Sequence, residues 1–251
     1  MCTVSWMYDG PGYQLFCNRD EKFTRLPAAD PQQLFRDGVR VLAPIDGDSG
    51  GTWIATNEFG LTLCLLNGIA LVGPGAAPRR SRGLIVLDLA SAASSQEVVA
   101  RVGQSGLQPY EPFTLAVLEP RRRATAIEWD GTKKRILRFA DSHMPLVSSS
   151  FEPDAVRNQR RAEFARVVRG GQALDPVALL MFHQSHLPER GPHSVCMHRA
   201  DAETVSFSWV TVTDTEASYY YSAGPPCRTL SGASYTLAIG QEESVPCLAS
   251  C

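Results

Sequence analysis

Two alternating runs, Thr3-Val4-Ser5-Trp6-Met7-Tyr8 and Tyr13-Gln14-Leu15-Phe16-Cys17, stand on either side of Asp9-Gly10-Pro11-Gly12. Turn residues between two period-two segments dictate an antiparallel hairpin at the start of the chain. Such a hairpin returns Asn18, Arg19 and Asp20 to the beginning of the first strand, beside Cys2. A cation there lowers a thiol pKa, and a carboxylate orients an amine. Removal of Met1 would put a thiol and a free α-amine on one residue. The amine has a pKa of about 7.7–8.0 and the thiol about 8.5, so near neutral pH part of the amine accepts the thiol proton without a distant histidine.

The order of motifs carries a resemblance. Met1-Cys2-Thr3 followed by Phe16-Cys17-Asn18-Arg19-Asp20-Glu21 resembles the NRDE-motif family, the transport and Golgi organisation family, placed with the N-terminal-nucleophile hydrolases. A second block, Gly50-Gly51-Thr52-Trp53-Ile54-Ala55-Thr56-Asn57-Glu58-Phe59-Gly60-Leu61 followed by Leu65-Leu66-Asn67, is similar to a segment of choloylglycine hydrolases and penicillin V acylases. The resemblance covers about the first 70 residues and thins beyond. It implies that Cys2 is the nucleophile, that Arg19 and Asp20 orient nucleophile and substrate, and that Asn67 is an oxyanion-hole residue. It also implies a four-layer αββα sandwich of antiparallel sheets. The residue pattern alone supports an α+β fold rich in antiparallel strands.

Composition sets the outer limits. A chain of 251 residues fits one large domain, 1–251, and its formal charge of -2 gives no general field for nucleic acid or an anionic membrane. No run approaches the ~18–20 apolar residues that span a bilayer, and the N-terminus lacks a signal core, so a cytoplasmic location is expected. Seven cysteines at scattered spacings read as mostly reduced thiols, with Cys64 and Cys196 buried and inert. The clusters Arg79-Arg80-Ser81-Arg82 and Arg121-Arg122-Arg123 read as solvated edges.

Along the rest of the chain, residues 23–37 read as an irregular loop passing over the site, and Val39 to Pro44 as a short strand. Asp46-Gly47-Asp48-Ser49-Gly50-Gly51 contains the string that surrounds the nucleophile of chymotrypsin-like proteases, but all five histidines follow Ser49. That mechanism places its histidine and aspartate before the serine, so the stretch is read as a turn. Trp53–Thr56 and Leu61–Leu66 form a second hairpin, with Asn67 at its exit. Residues 71–81 read as a loop. Ser94-Ser95-Gln96-Glu97 reads as a capping box. Strands follow at Phe113–Leu118, Ala124–Trp129 and Arg135–Phe139, then helices at Pro153–Val168, with a solvent-facing arginine side, and from Asp175-Pro176. A strand is expected at Ser194–Arg199, a late hairpin over Thr204–Ser222, and a less regular tail from about residue 224.

The resembling families commonly carry an asparagine just before the helix that corresponds to Pro153–Val168, a place held here by Ser148-Ser149-Ser150. Ser149, Asn18, His186 and Arg199 are the expected substrate contacts. His183, His186, His193 and His198 crowd near Cys196, yet the spacing matches no closed structural zinc pattern, and no metal or cofactor is expected. The leading reading is a cysteine amidohydrolase or acyltransferase taking a small amide or acyl substrate. The alternative, which the resemblance implies through lipid homeostasis and haem trafficking, is a non-catalytic carrier of haem or another hydrophobic ligand. A purely structural role stays open and predicts a Cys2 no more alkylatable than Cys17 or Cys64.

Overall fold

The computed structural model describes residues 2–69, 79–121, 124–138, 140–168, 174–228 and 231–240. The opening hairpin consists of β1 (Cys2–Asp9) and β2 (Gly12–Lys22), paired from Cys2 opposite Arg19 to Asp9 opposite Gly12. Because strand side chains alternate in direction, Cys2, Val4 and Trp6 face one way with Tyr13, Leu15 and Cys17, and all are buried. Thr3, Ser5, Phe16, Asn18 and Asp20 belong to the opposite face.

Two antiparallel sheets make the centre. Strands β3 (Ala29–Arg36), β4 (Val39–Ile45), β5 (Ile54–Asn57), β6 (Thr62–Asn67), β7 (Phe113–Leu118), β8 (Thr125–Trp129) and β9 (Lys134–Arg138) pair in chain order as one sheet. The other runs β10 (Leu146–Ser148), β1, β2, β11 (Ala202–Val212), β12 (Glu216–Ser222) and β13 (Ala233–Ala238). Cys2, Val4, Trp6 and Leu15 pack between the sheets against Trp53, Ile54, Cys64 and Ala116. Helices α1 (Arg82–Leu89) and α2 (Ser95–Gln104) cover the seven-stranded sheet through Ile85, Val86, Val98 and Val102. On the other side, α3 (Pro153–Val168) and α4 (Pro176–Gln184) cover the six-stranded sheet, where Phe16, Leu179 and Phe207 meet. The layers are therefore α, β, β, α.

Local chemistry accounts for several boundaries. Ser94 accepts from the Glu97 amide at 3.2 Å and caps α2, while the Glu97 carboxylate reaches the Ala93 amide at 2.8 Å. Asp175 caps α4 through the Ala178 amide at 2.7 Å, with Pro176 in the first turn. A Cβ on Gly51 would lie 2.5 Å from the Gly83 carbonyl carbon. Glycine there lets the turn before β5 touch the start of α1, which closes one wall of the cleft described below.

Several local expectations give way. Residues expected to form a loop over the site contain β3, an edge strand whose polar side faces solvent. The serines before α3 include Ser148 of β10, which pairs with β1 and puts Cys2 opposite Ser148. Ser194–Arg199 is not a strand: it contributes only the bridge His198 to Glu203. The tail supplies β13 to the sheet edge. Arg160, expected on a solvent-facing helix side, is fully buried. The expected loop at 71–78, the glycines after α3, Arg122, Arg123, Cys247 and Cys251 lie outside the described residues.

Candidate active site

Cys2 sits at the floor of a cleft of about 320 Å³ whose walls include Arg19, Trp53, Asn67, Arg82 and Gly83. A second concavity of about 340 Å³ shares Asp20, Glu21, Asn67 and Arg82 with it and extends to Phe151 and Arg199. The backbone nitrogen of Cys2 donates to the Ser148 hydroxyl at 3.0 Å. Its thiol pKa is raised, first by a hydrogen bond with Cys17 and then by burial. With Met1 attached, the thiol is accordingly held in its protonated form. An adjacent base is needed to make it a nucleophile.

The alternation of β2 divides the charged motif between two faces. Arg19 lies on the Cys2 side: its Nη2 is 2.6 Å from Asp46 Oδ2, and its guanidinium stacks over Trp53 at 4.4 Å from the ring centre. Asp46 also receives Arg25 Nη2 at 2.6 Å and the Ser49 hydroxyl at 2.8 Å. Burial acts to raise the Asp46 pKa, but the hydrogen bonds from Arg25 and Ser49 hold it below the usual carboxylate range. Ser49, the serine of the protease-like string, therefore holds Asp46 in place.

Asp20 points to the helical side yet still borders the cleft at the end of β2. It receives the Thr204 hydroxyl at 2.7 Å and Arg160 Nη1 at 3.0 Å, and the same Arg160 nitrogen donates to the Thr3 hydroxyl. Arg160 thus joins the residue after Cys2 to the carboxylate of the charged motif. Both charges of the Asp20–Arg160 pair are fully buried.

The remaining expected residues separate. Asn67 reaches the cleft from the end of β6. Arg199 borders its extension, stacked 4.9 Å over Phe151 and paired with Asp201. Asn18 does not reach the cleft: β2 turns it to the helical side, where its amide donates to the carbonyls of His183 and Val195 at 2.9 and 3.0 Å. Ser149 instead makes a local turn with Phe151, donating to its carbonyl at 2.6 Å, and it is Ser148 that meets the Cys2 nitrogen. His186 lies in a cluster outside the cleft, with Cys196, His198 and Cys227.

Arg82 and its neighbours were read from sequence as a solvated edge, but Arg79, Arg80 and Arg82 line the cleft. Arg79 pairs with Glu111 at 3.0 Å and Arg80 with Asp88 at 2.8 Å. Arg82 Nη1 donates to the carbonyls of Gly68 and Pro112 at 3.2 and 2.9 Å, and Arg82 forms no ion pair with a described carboxylate. No sequence signal distinguished it from its neighbours. Its place in the cleft comes from α1 starting there.

Residues 1–186 match the family described as Transport and Golgi organisation 2. The chain belongs to the Transport and Golgi organisation 2 family. No curated protein sequence matches it significantly. Its fold is that of N-terminal-nucleophile hydrolases. The structure of penicillin V acylase from Agrobacterium tumefaciens superposes with a TM-score of 0.53 at 11% identity, covering 95% of this chain and 86% of the other. A mutant of conjugated bile acid hydrolase from Clostridium perfringens gives 0.54 at 12% identity, covering 96% and 97%. The Caenorhabditis elegans ortholog of N-acylethanolamine-hydrolyzing acid amidase gives 0.53 at 14%, covering 83% and 92%. At these identities the likeness concerns the fold.

On the helical side of the six-stranded sheet of this Transport and Golgi organisation 2 family member, His183 is fully buried between Ser5 and Asn18, at 2.8 and 3.0 Å. Burial, aided by the charge of Arg160, lowers its pKa to about 3. The unfolded chain binds that proton near pH 6.5 and the folded chain does not, so stability is full above about pH 6.5 and declines as pH falls toward 3. The expected slope from this residue is about 1.4 kcal/mol per pH unit across that window. Urea unfolding at stepped pH measures it, and His183→Gln should flatten the profile; an unchanged profile would refute the assignment.

Proposed function

We propose that this chain is a cysteine amidohydrolase or acyltransferase of the N-terminal-nucleophile kind, acting on a small amide or acyl substrate that carries an anionic group. The observation that carries the reading is the position of Cys2, on the floor of a cleft bounded by Arg19, Asn67 and Arg82. With Met1 removed, the Cys2 nitrogen that now meets Ser148 becomes an α-amine within the same residue as the thiol. The amine takes the thiol proton as sulfur bonds to the substrate carbonyl carbon. The Asn67 amide and a backbone N–H stabilise the resulting oxyanion. Collapse breaks the carbon–nitrogen bond, the proton passes to the leaving amine, and a thioester remains. Water then attacks the thioester, releasing the acid and restoring the thiol, or an acceptor amine takes the acyl group instead.

The anionic substrate group follows from Arg82, a partly buried cation at the cleft that donates to two carbonyls and makes no direct ion pair with a described carboxylate, with Glu111 and Glu21 acting on its charge only from further away. Arg82→Gln should raise KM for a carboxylate-bearing amide by about 10–100-fold, the worth of a charge-assisted hydrogen bond, with a smaller change in kcat. Equal KM effects on neutral and anionic substrates would remove Arg82 from recognition. The charged and polar lining of the described walls fits a small polar substrate better than haem or lipid, which require a continuous apolar wall, and the arginines among it supply the attraction for an anionic group.

Intact mass and brief alkylation test the nucleophile itself. Loss of Met1 with labelling at Cys2 in preference to Cys17 and Cys64 supports the proposal. Retained Met1 with Cys2 unlabelled sinks it and directs the search to bound hydrophobic ligands.

A further inference from the structure

A second chemical centre lies behind the β2 strand, outside the cleft. His186 follows the end of α4, Cys196 and His198 belong to the loop leading to β11, and Cys227 follows β12. One ligand atom from each of these four residues lies within 4.8 Å of every other. His198 Nε2 is 3.7 Å from Cys196 Sγ and 3.3 Å from Cys227 Sγ. A tetrahedral zinc with Zn–S of about 2.3 Å and Zn–N of about 2.0–2.1 Å requires neighbouring ligand atoms about 3.3–3.8 Å apart. The two measured separations are already in that range.

Three features distinguish the group from a chance gathering. Cys196 is fully buried, and His186 Nε2 is a buried polar atom without a hydrogen-bond partner. An orphaned imidazole nitrogen is costly, and coordination satisfies it. His198 presents its other nitrogen, Nδ1, to Glu203 Oε2 at 3.3 Å, and Glu203 is itself held by Arg228 at 2.9 Å. Arg190 Nη2 lies 3.4 Å from the same nitrogen, and donation from Nδ1 to the nearer Glu203 carboxylate leaves the Nε2 lone pair free, as second-shell carboxylates do for zinc-ligating histidines. Two thiolates also neutralise a divalent ion, which allows it to be buried.

We propose that His186, Cys196, His198 and Cys227 form a structural zinc site. Four protein ligands leave no open position, so the ion binds to stabilise the fold and takes no part in catalysis. The site ties α4, the loop before β11 and the loop after β12 together. The loop before β11 is pinned to Thr204 by the Met197 amide and carbonyl, both at 2.9 Å, and Thr204 donates to Asp20 at 2.7 Å. Zinc therefore supports the back of the cleft through Thr204.

The full chain, purified under reducing conditions from zinc-supplemented culture, is expected to carry one zinc per chain by elemental mass spectrometry. Cys196→Ser and Cys227→Ser should each lower the stoichiometry at least severalfold, while His193→Ala, outside the group, should retain it. Wild-type protein stripped by chelator and reloaded with cobalt alone should show the visible bands of tetrahedral cobalt and thiolate-to-cobalt charge transfer. It should also melt several degrees higher with zinc restored. This wild-type measurement decides the matter even if the cysteine variants fail to fold. Substoichiometric metal indifferent to both serine substitutions, octahedral cobalt spectra, or a Cys196–Cys227 disulfide in the freshly isolated protein would each overturn the proposal. None of these readouts depends on catalytic activity.

Discussion

Cys2→Ala should abolish turnover, with a loss of at least ~10³-fold in kcat/KM on any amide the wild-type chain hydrolyses. It should also remove the mass shift of the acyl-enzyme seen when wild-type protein is quenched during turnover. The thiol is buried at 4% exposure, so truncating it leaves a small void. The stability change should be only about 1 kcal/mol, the scale of a lost small group. Unfolding midpoints measured beside the kinetics separate a lost nucleophile from a lost fold. Cys2→Ser keeps the shape but is a weaker nucleophile beside an amine of pKa about 8, and it should retain a trace of activity. A Cys2→Ala protein that turns substrate over at the wild-type rate would eliminate the proposed chemistry.

Arg160→Leu should be the most damaging substitution to stability, costing about 3–5 kcal/mol, or roughly 6–20 °C in Tm for a chain of this size. The reason is what it leaves behind. Asp20 is fully buried, and Thr204 would then face a carboxylate whose guanidinium partner, 3.0 Å away, is gone. Removing both charges should be milder than removing one, so the double variant Arg160→Leu with Asp20→Asn should recover part of the loss. Denaturant unfolding of the two singles and the double closes the cycle. A single variant within 1 kcal/mol of wild type would show that Arg160 does not compensate Asp20.

The legible parts of the fold were those encoded locally. The β1–β2 hairpin follows from alternation and the Asp9-Gly10-Pro11-Gly12 turn, and the β5–β6 hairpin from two apolar runs around Asn57-Glu58-Phe59-Gly60. The Ser94 and Asp175 caps likewise sit within three residues of the amides they satisfy. β3 escaped notice because an edge strand with a solvated face shows few apolar positions, and β10 because three residues carry no period. Val195-Cys196-Met197 looked like a strand because they form a short apolar run, and all three are indeed buried. The burial comes from neighbouring elements: the Asn18 amide takes the Val195 carbonyl, leaving the segment without a ladder.

By itself the sequence determined the first hairpin, the neighbourhood of Cys2 and Arg19, and the antiparallel, layered character of the chain. These depend on turn chemistry and a two-residue period, which act over a few positions. Only the tertiary structure decided that Asn18 turns away from the cleft, that Arg82 enters it, and that Arg160 finds Asp20 across 140 positions of chain. It likewise brought Cys227 to His186, Cys196 and His198. Partners of buried charges and metal ligands are selected by which faces pack together, and no local pattern along the chain records that choice.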